Sequence, residues 1–260
     1  MSLDPESSNE QGVAPLEKRA PFSGGTLYLV ATPIGNLEDI SFRALRLLRE
    51  ADLLFCEDTR HTGRLLKAFD IRRSTLSLHK FNEKSRESRV LSELGNGGVV
   101  GLVSDAGSPG ISDPGSRLAA AVWDGGFRVE AIPGACAMVT ALSVSGLNCD
   151  EFFFAGFLAV KSGRRARQLE RASLLDSAVV FYESPHRIPK LLVELEQWFP
   201  NRRVAVCREL TKKFEEVTRG EMALVVETLK GRKARGEFVV VVGPVEKVKK
   251  VGKSSSDLTF

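Results

Sequence analysis

Apolar residues recur along the first half of the chain in two alternating rhythms. "TLYLVAT" is a β-branched and aromatic run and predicts a strand. "SFRALRLLREA" follows with Phe42, Leu45 and Leu48 on one helical face. The pair repeats: "DLLFC" then "TGRLLKAF", "STLSL" then the polar-faced "EKSRESRVLSEL", "GVVGLV" then "SRLAAAVWDGG", "RVEAI" then "PGACAMVTALSVSG". Strand and helix in strict alternation predict a mainly parallel sheet with helices on both faces. Past Asp150 the texture changes. "FFFAGFL", "AVVFYES", "VAVCREL", "FEEVTRG" and "EFVVVVG" read as strands, and "SGRRARQLERASLL" (with Ser162 as its cap), "PHRIPKLLVELEQWF" and "MALVVETLK" as helices. This order predicts a second α/β domain with a mixed sheet.

The expected plan is therefore α/β with two domains, residues 26–148 and 149–245. Residues 1–25 form a polar lead-in and residues 246–260 a flexible tail, both too poor in apolar residues for a core. The lead-in lacks the apolar centre of a signal peptide, and no run approaches a membrane span, so a cytoplasmic protein with no membrane partner is expected. Four scattered cysteines without a CxxC pair and three scattered histidines predict buried thiols and no metal site.

Charge divides the chain unevenly. Up to Asp150 there are 16 Lys and Arg against 19 Asp and Glu; beyond it, 21 against 14. The second half is the candidate for meeting a polyanion, or else carries an ordinary solvated basic surface.

Three loops follow strands of the first half: "TPIGNLED", "SDAGSPGISDPG" and "PGACAM". Loops at strand carboxyl ends are where open α/β sheets bind ligands. No GxxxxGK[ST], strand–GxGxxG–helix or GxSxG pattern is present, which disfavours a P-loop nucleotide, an ordinary dinucleotide site and a serine hydrolase. Backbone amides, small hydroxyls and one or two carboxylates suit a ligand with a positive centre and an adenine, such as S-adenosyl-L-methionine.

"LVATPIGNLEDISFRALRLLREADLLFCEDTRHTGRLL", "VSDAGSPGISDPG", "FYESPHRI" and "CRELTKKFEEVTRG" together resemble the ribosomal RNA small subunit methyltransferase I family, within the tetrapyrrole-methylase superfamily, from about Thr26 to Gly243. The resemblance implies a two-domain tetrapyrrole-methylase-like fold. It also implies transfer of a methyl group from S-adenosyl-L-methionine to a cytidine ribose 2′-hydroxyl of 16S rRNA, by a homodimer. It assigns the cofactor to Asp105, Ala106, Gly107, Ile111 and Ser112, to Gly134, Cys136 and Ala137, and to Tyr182, Leu210 and Phe238. Pro33 and Gly35 of the first loop join them, although a single glycine there leaves open whether that loop meets cofactor or acceptor. Glu38, Cys56 and Leu78 depart from the family's usual pattern.

A ribose hydroxyl needs a base, or a cation for its developing alkoxide. Asp58, Arg60, Glu183 and Lys212 follow strand ends and are the catalytic candidates; helix caps and local ion pairs are the ordinary alternatives. Arg164, Arg165, Arg167 and Lys213 are the RNA-binding candidates, through phosphate charge. Two rivals stand beside this reading: an enzyme of the same fold acting on a tetrapyrrole or a protein side chain, and a non-catalytic RNA-binding protein.

Overall fold

The computed structural model describes residues 21–79 and 82–245. The lead-in up to residue 20 and the tail from residue 246 lie outside them. Among the described residues, ten strands form two five-stranded sheets, and eight α-helices pack on them.

The first sheet comprises β1 (Thr26–Val30), β2 (Leu53–Cys56), β3 (Thr75–Ser77), β4 (Val99–Val103) and β5 (Arg128–Ile132). Its order is β3-β2-β4-β1-β5, and every pair is parallel. Helices α1 (Phe42–Glu50) and α2 (Thr59–Ala68) cover one face, where Leu47 and Leu66 meet Tyr28, Val30 and Cys56. Helices α3 (Glu83–Gly95) and α4 (Ser116–Asp124) cover the other, where Val90 and Leu118 meet Leu27, Phe55 and Val100. Chain direction explains the division. Connections from β1 and β2 step toward the β3 edge, those from β3 and β4 step back, and right-handed crossovers then put the two helix pairs on opposite faces. β1 and β4 are neighbours whose exits diverge, which opens a crevice between their loops.

The expected face of α1 is turned slightly. Its core contacts are Ala44, Leu47 and Leu48, while Phe42, at the helix start, is 70% exposed. Cys56 and Leu78 are core residues, so these two departures are matters of packing; Glu38 is on the surface. All four cysteines are free.

The second sheet comprises β6 (Phe152–Phe157), β7 (Ala178–Glu183), β8 (Arg203–Arg208), β9 (Glu216–Glu221) and β10 (Phe238–Val242), in the order β6-β7-β10-β8-β9. Only β6 and β7 are parallel. Helices α6 (Ser162–Ser173), α7 (Ile188–Trp198) and α8 (Met222–Leu229) cover one face. Ser162 is the first helical residue of α6 and Lys161 occupies the cap position, without a side-chain bond. The opposite face, with Val180, Ala205, Cys207, Val239 and Val241, packs on α5 (Ala137–Ser145). α5 thus follows the parallel sheet in sequence but spends its buried side on the mixed one. Its carboxyl end is closed by Gly146, in the left-handed region, and by Arg219 Nη2 donating to the Gly146 carbonyl at 3.2 Å.

Candidate active site

The loops after β1 and β4 are tied together across the crevice. Thr32 N–H donates to the Gly107 carbonyl at 2.9 Å, and Gly107 N–H returns to the Thr32 carbonyl at 3.1 Å. The Thr32 hydroxyl donates to the Ser104 carbonyl and the Ser104 hydroxyl to that of Gly107, at 3.1 and 2.9 Å. Gly107 has φ +77°, which a side chain rarely adopts, and Ser112 holds φ 65° despite having one. The Asp105 carboxylate accepts from Asp58 N–H at 3.1 Å and so joins the loop after β2. Glu83 of α3 accepts from Leu118 N–H at 3.0 Å. The amino end of α4 is therefore used by a protein carboxylate, which fits a loop with no phosphate grip.

Between this lattice of loops and the second sheet is a cavity of about 530 Å³. It is formed by the loops after β1 and β4, the start of α5, and the ends of β7, β8 and β10. Ten of the expected cofactor residues line it: Asp105, Ala106, Gly107, Ile111, Ser112, Cys136, Ala137, Tyr182, Leu210 and Phe238. Pro33, Gly35 and Gly134 do not, but each is within two residues of one that does; Ile34 takes the place expected of Pro33. Leu210 is turned inward by a backbone with φ 50° at Glu209 and 66° at Thr211. Tyr182 stands with its ring edge-on to Phe154 and Phe157, and its hydroxyl accepts from Met138 N–H at 3.0 Å. Burial, with the nearby Cys136, pushes the Tyr182 phenol well above its ordinary range. Burial also pushes the Cys207 thiol up to about 12.

Glu57, Asp113 and Phe157 also line the cavity and were not singled out for it. Glu57 sits beside Asp58 at a strand exit, where neighbouring side chains point in different directions. Asp113 lies inside the loop already chosen. Phe157 is the last residue of the continuously apolar β6, whose sequence marks neither face, and is 53% exposed.

The reactive candidates are spread out. Asp58 caps α2 by accepting from Arg60 N–H at 2.7 Å and pairs with its guanidinium at 3.2 Å. Those bonds to Arg60 hold the Asp58 carboxyl below the usual carboxylate range. Neither residue lines the cavity, and the Arg60 side chain is 89% exposed. Lys212 is held by Glu209 and Glu237, each at 2.9 Å. Burial depresses its pKa, but the two carboxylates outweigh that and raise it, so Lys212 is a fixed cation and not a base. Gly35 is where it is because of Lys212: a Cβ there would meet Lys212 Cγ at 2.3 Å. Lys213 lies next in the same turn with its ammonium 5.7 Å from the Phe214 ring centre.

Glu183 lines the cavity, yet its side chain is 0% exposed and both oxygens are occupied. One faces Arg165 Nη1 at 3.3 Å; the other faces Arg187 Nε at 3.4 Å and accepts from Ser184 N–H at 2.9 Å. Arg165 corrects the sequence reading. It is expected on RNA, but its side chain is 3% exposed and is held by Glu183 and by Glu194 at 2.7 Å. It shares a helical face with Leu169 and Ala172, which drive it into the core. Arg164 and Arg167 are exposed and remain free to meet a polyanion. Among the described residues, no group of three His, Cys, Asp or Glu is placed to hold a metal ion.

The cavity fits S-adenosylmethionine by its chemistry. Its volume is in the range of small-molecule sites. Ile34, Leu210 and Val239 give an apolar wall, and Glu57, Asp105 and Asp113 provide negative charge toward a cation. Cys136 gives α5 no side-chain cap; of the first-turn amides Met138 N–H is taken by the Tyr182 hydroxyl, and the positive dipole end still favours a ligand carboxylate at the cavity.

The family profile of Tetrapyrrole (Corrin/Porphyrin) Methylases matches residues 26–225. Ribosomal RNA small subunit methyltransferase I of Halalkalibacterium halodurans is 46% identical over 225 residues, 86% of this chain and 78% of that one. The protein of the same name from Neisseria meningitidis serogroup B is 42% identical over 235 residues, 90% and 81% of the two chains. In three dimensions, uroporphyrin-III C-methyltransferase of Thermus thermophilus complexed with S-adenosyl homocysteine superposes with TM-score 0.59 at 18% identity, covering 84% of this chain and 97% of that one. A diphthine synthase superposes with TM-score 0.62 at 16% identity, covering 84% and 89%. The chain thus belongs to the tetrapyrrole methylase family of methyltransferases that use S-adenosylmethionine, within its ribosomal RNA small subunit methyltransferase I branch.

Proposed function

We propose that the protein methylates the ribose 2′-hydroxyl of a cytidine in 16S rRNA of the small ribosomal subunit, with S-adenosylmethionine held in the 530 Å³ cavity. The observation that carries this reading is the cavity's composition: carboxylates and the positive start of α5 set against an apolar wall, where the diverging β1 and β4 loops meet the second sheet. S-adenosylmethionine bound there supplies a methyl group on a positively charged sulfur. The residues of the chain supply alignment, which accounts for several kcal/mol of barrier in well-oriented reactions. Asp105 fixes the loop geometry around the site through Asp58 N–H, and Leu210 and Tyr182 close its far wall. Lys212, kept protonated by Glu209 and Glu237, does not itself line the cavity, but its partner Glu237 does, which supports its role as the cation that steadies negative charge on the acceptor. Phe157, exposed at the cavity, gives the acceptor base a face to stack on. Arg60, Arg164, Arg167 and Lys213 hold phosphates.

On this reading the protein works in the cytoplasm as a homodimer; no described helix is long and apolar enough to cross a membrane. The test is methyl incorporation from labelled cofactor into undermethylated small subunits, naked 16S rRNA, a tetrapyrrole and bulk protein, with nucleoside analysis of the product. The expected result is 2′-O-methylcytidine in rRNA. Label in the tetrapyrrole or the protein alone, or no turnover with any acceptor, refutes it. Sedimentation velocity checks the dimer.

A further inference from the structure

A second cavity, of about 570 Å³, lies on the other face of the mixed sheet. Ile188, Leu192 and Val193 of α7 and Val226 and Leu229 of α8 form its apolar sides. Phe238, the first residue of β10, lines both this cavity and the cofactor cavity. The two therefore open at the same end of the sheet, with one side chain between them.

The rim is mixed with a surplus of cations: Arg208, Lys230, Arg232 and Lys233 line it together with Glu196, Glu216 and Glu227. Residues 230–235 hold Lys230, Arg232, Lys233 and Arg235 with no acid among them, and Arg235 lies just outside the lining. The backbone of this segment is tied to the sheet, because Arg208 Nε donates to the Arg235 carbonyl at 2.8 Å. Lys230 pairs with Glu227 and Arg232 with Glu216, each at 3.0 Å on the surface, where such pairs contribute little and yield readily to a phosphate. Lys233 and Arg235 are exposed.

An apolar slot edged by cations matches a nucleotide: a flat base for the slot and a phosphate for the rim. We propose that this second cavity is a subsite for a nucleotide flanking the acceptor in the RNA strand, its base between α7 and α8 and its phosphates on Lys233 and Arg235. The proposal rests on the rRNA reading above and adds where the strand goes. It also gives the basic balance of the second half a location that the inward Arg165 does not.

The test uses the full chain and a small-subunit rRNA transcript. Lys233→Glu/Arg235→Glu should weaken RNA binding at least about tenfold near 0.1 M salt. It should also flatten the log–log salt dependence by about 1.4, for two single-strand phosphate contacts at about 0.7 each. Val193→Trp, at an exposed position of the slot, should raise the KM for RNA with kcat and salt slope unchanged. Both variants should keep cofactor affinity and the thermal midpoint. RNA containing 4-thiouridine should crosslink to α7 or to residues 230–235 of the unmodified protein. Wild-type affinity and slope in both variants, loss in the charge variant alone, or crosslinks only elsewhere overturns the subsite while leaving the rRNA reading intact. An unmodified protein that methylates no RNA overturns both.

Discussion

Replacing Glu183 by alanine separates a reactive carboxylate from one that holds the fold. Its side chain is 0% exposed and faces Arg165 Nη1 at 3.3 Å and Arg187 Nε at 3.4 Å. Arg165 is itself buried, and its Nη2 has no partner among the described residues. Without Glu183, that guanidinium keeps only Glu194 at 2.7 Å. Leaving one member of a buried pair uncompensated costs about 3–5 kcal/mol. A domain of this size loses about 2–4 °C per kcal/mol, so Tm should fall by about 6–20 °C. Scanning calorimetry measures it; Glu183→Gln, which keeps the volume and an acceptor, should fall less. Single-turnover methyl transfer, run cold enough that the variant is folded, should remain within about tenfold of the parent, since an occupied carboxylate is no general base. A Tm change under about 2 °C would falsify the structural account, and abolished transfer in the folded Gln variant would make Glu183 reactive.

Gly35→Ala should leave the fold intact but displace Lys212, lowering kcat/KM by up to about 10²-fold, the effect of a misplacement near 1 Å; an unchanged rate removes Lys212 from the chemistry. The Lys212–Glu209 pair gives pH limits of defined sign. The raised Lys212 pKa stabilises the fold fully below 10.5, and that contribution is lost as pH rises through the folded value. For Glu209, burial pushes upward, but the bonds from Lys212 and Glu237 N–H lower it overall, so its contribution is present above 4.5 and lost as pH falls through the folded value. Chemical denaturation of Lys212→Met across pH should therefore flatten both limbs, and a parallel curve refutes the pairing. Cys207, with its pKa at about 12, should resist iodoacetamide at pH 8, whereas Cys136 should react and be protected by S-adenosylhomocysteine; equal protection of neither places the cofactor elsewhere. Arg164→Glu/Arg167→Glu should weaken RNA binding without lowering Tm, and Arg165→Glu should lower Tm; the reverse pattern contradicts the inward turn of Arg165.

The strands and helices were legible because each carries its period openly, as in "GVVGLV" and "SRLAAAVWDGG". That the loop after β4 would wall a cavity was legible from its glycines, prolines and carboxylates at a strand end. The inward turn of Arg165 is carried by helical position and not by charge: four residues on lies Leu169 and three further Ala172, so it belongs to the buried stripe. The placement of Glu57 against Asp58 was beyond the sequence, since adjacent carboxylates at a strand exit diverge according to loop geometry. Helix α5 was beyond it for another reason. "AMVTALSVS" is apolar nearly all round, so no stripe says which sheet it covers.

That allegiance of α5 changes how the molecule can be cut. Severed after residue 148, the leading fragment carries away the lid of the trailing one. Val180, Val239 and Val241, at most 6% exposed, would face water, each forfeiting about 1.5–3 kcal/mol. The mechanical joint lies earlier, in the few residues between β5 and α5. Residues 133–136 are that joint, and Cys136, its last residue, lines the cavity assigned to the cofactor. A ligand seated there would touch this joint and both sheets at once, so its binding should raise the stability of the link between them as well as fill the cavity.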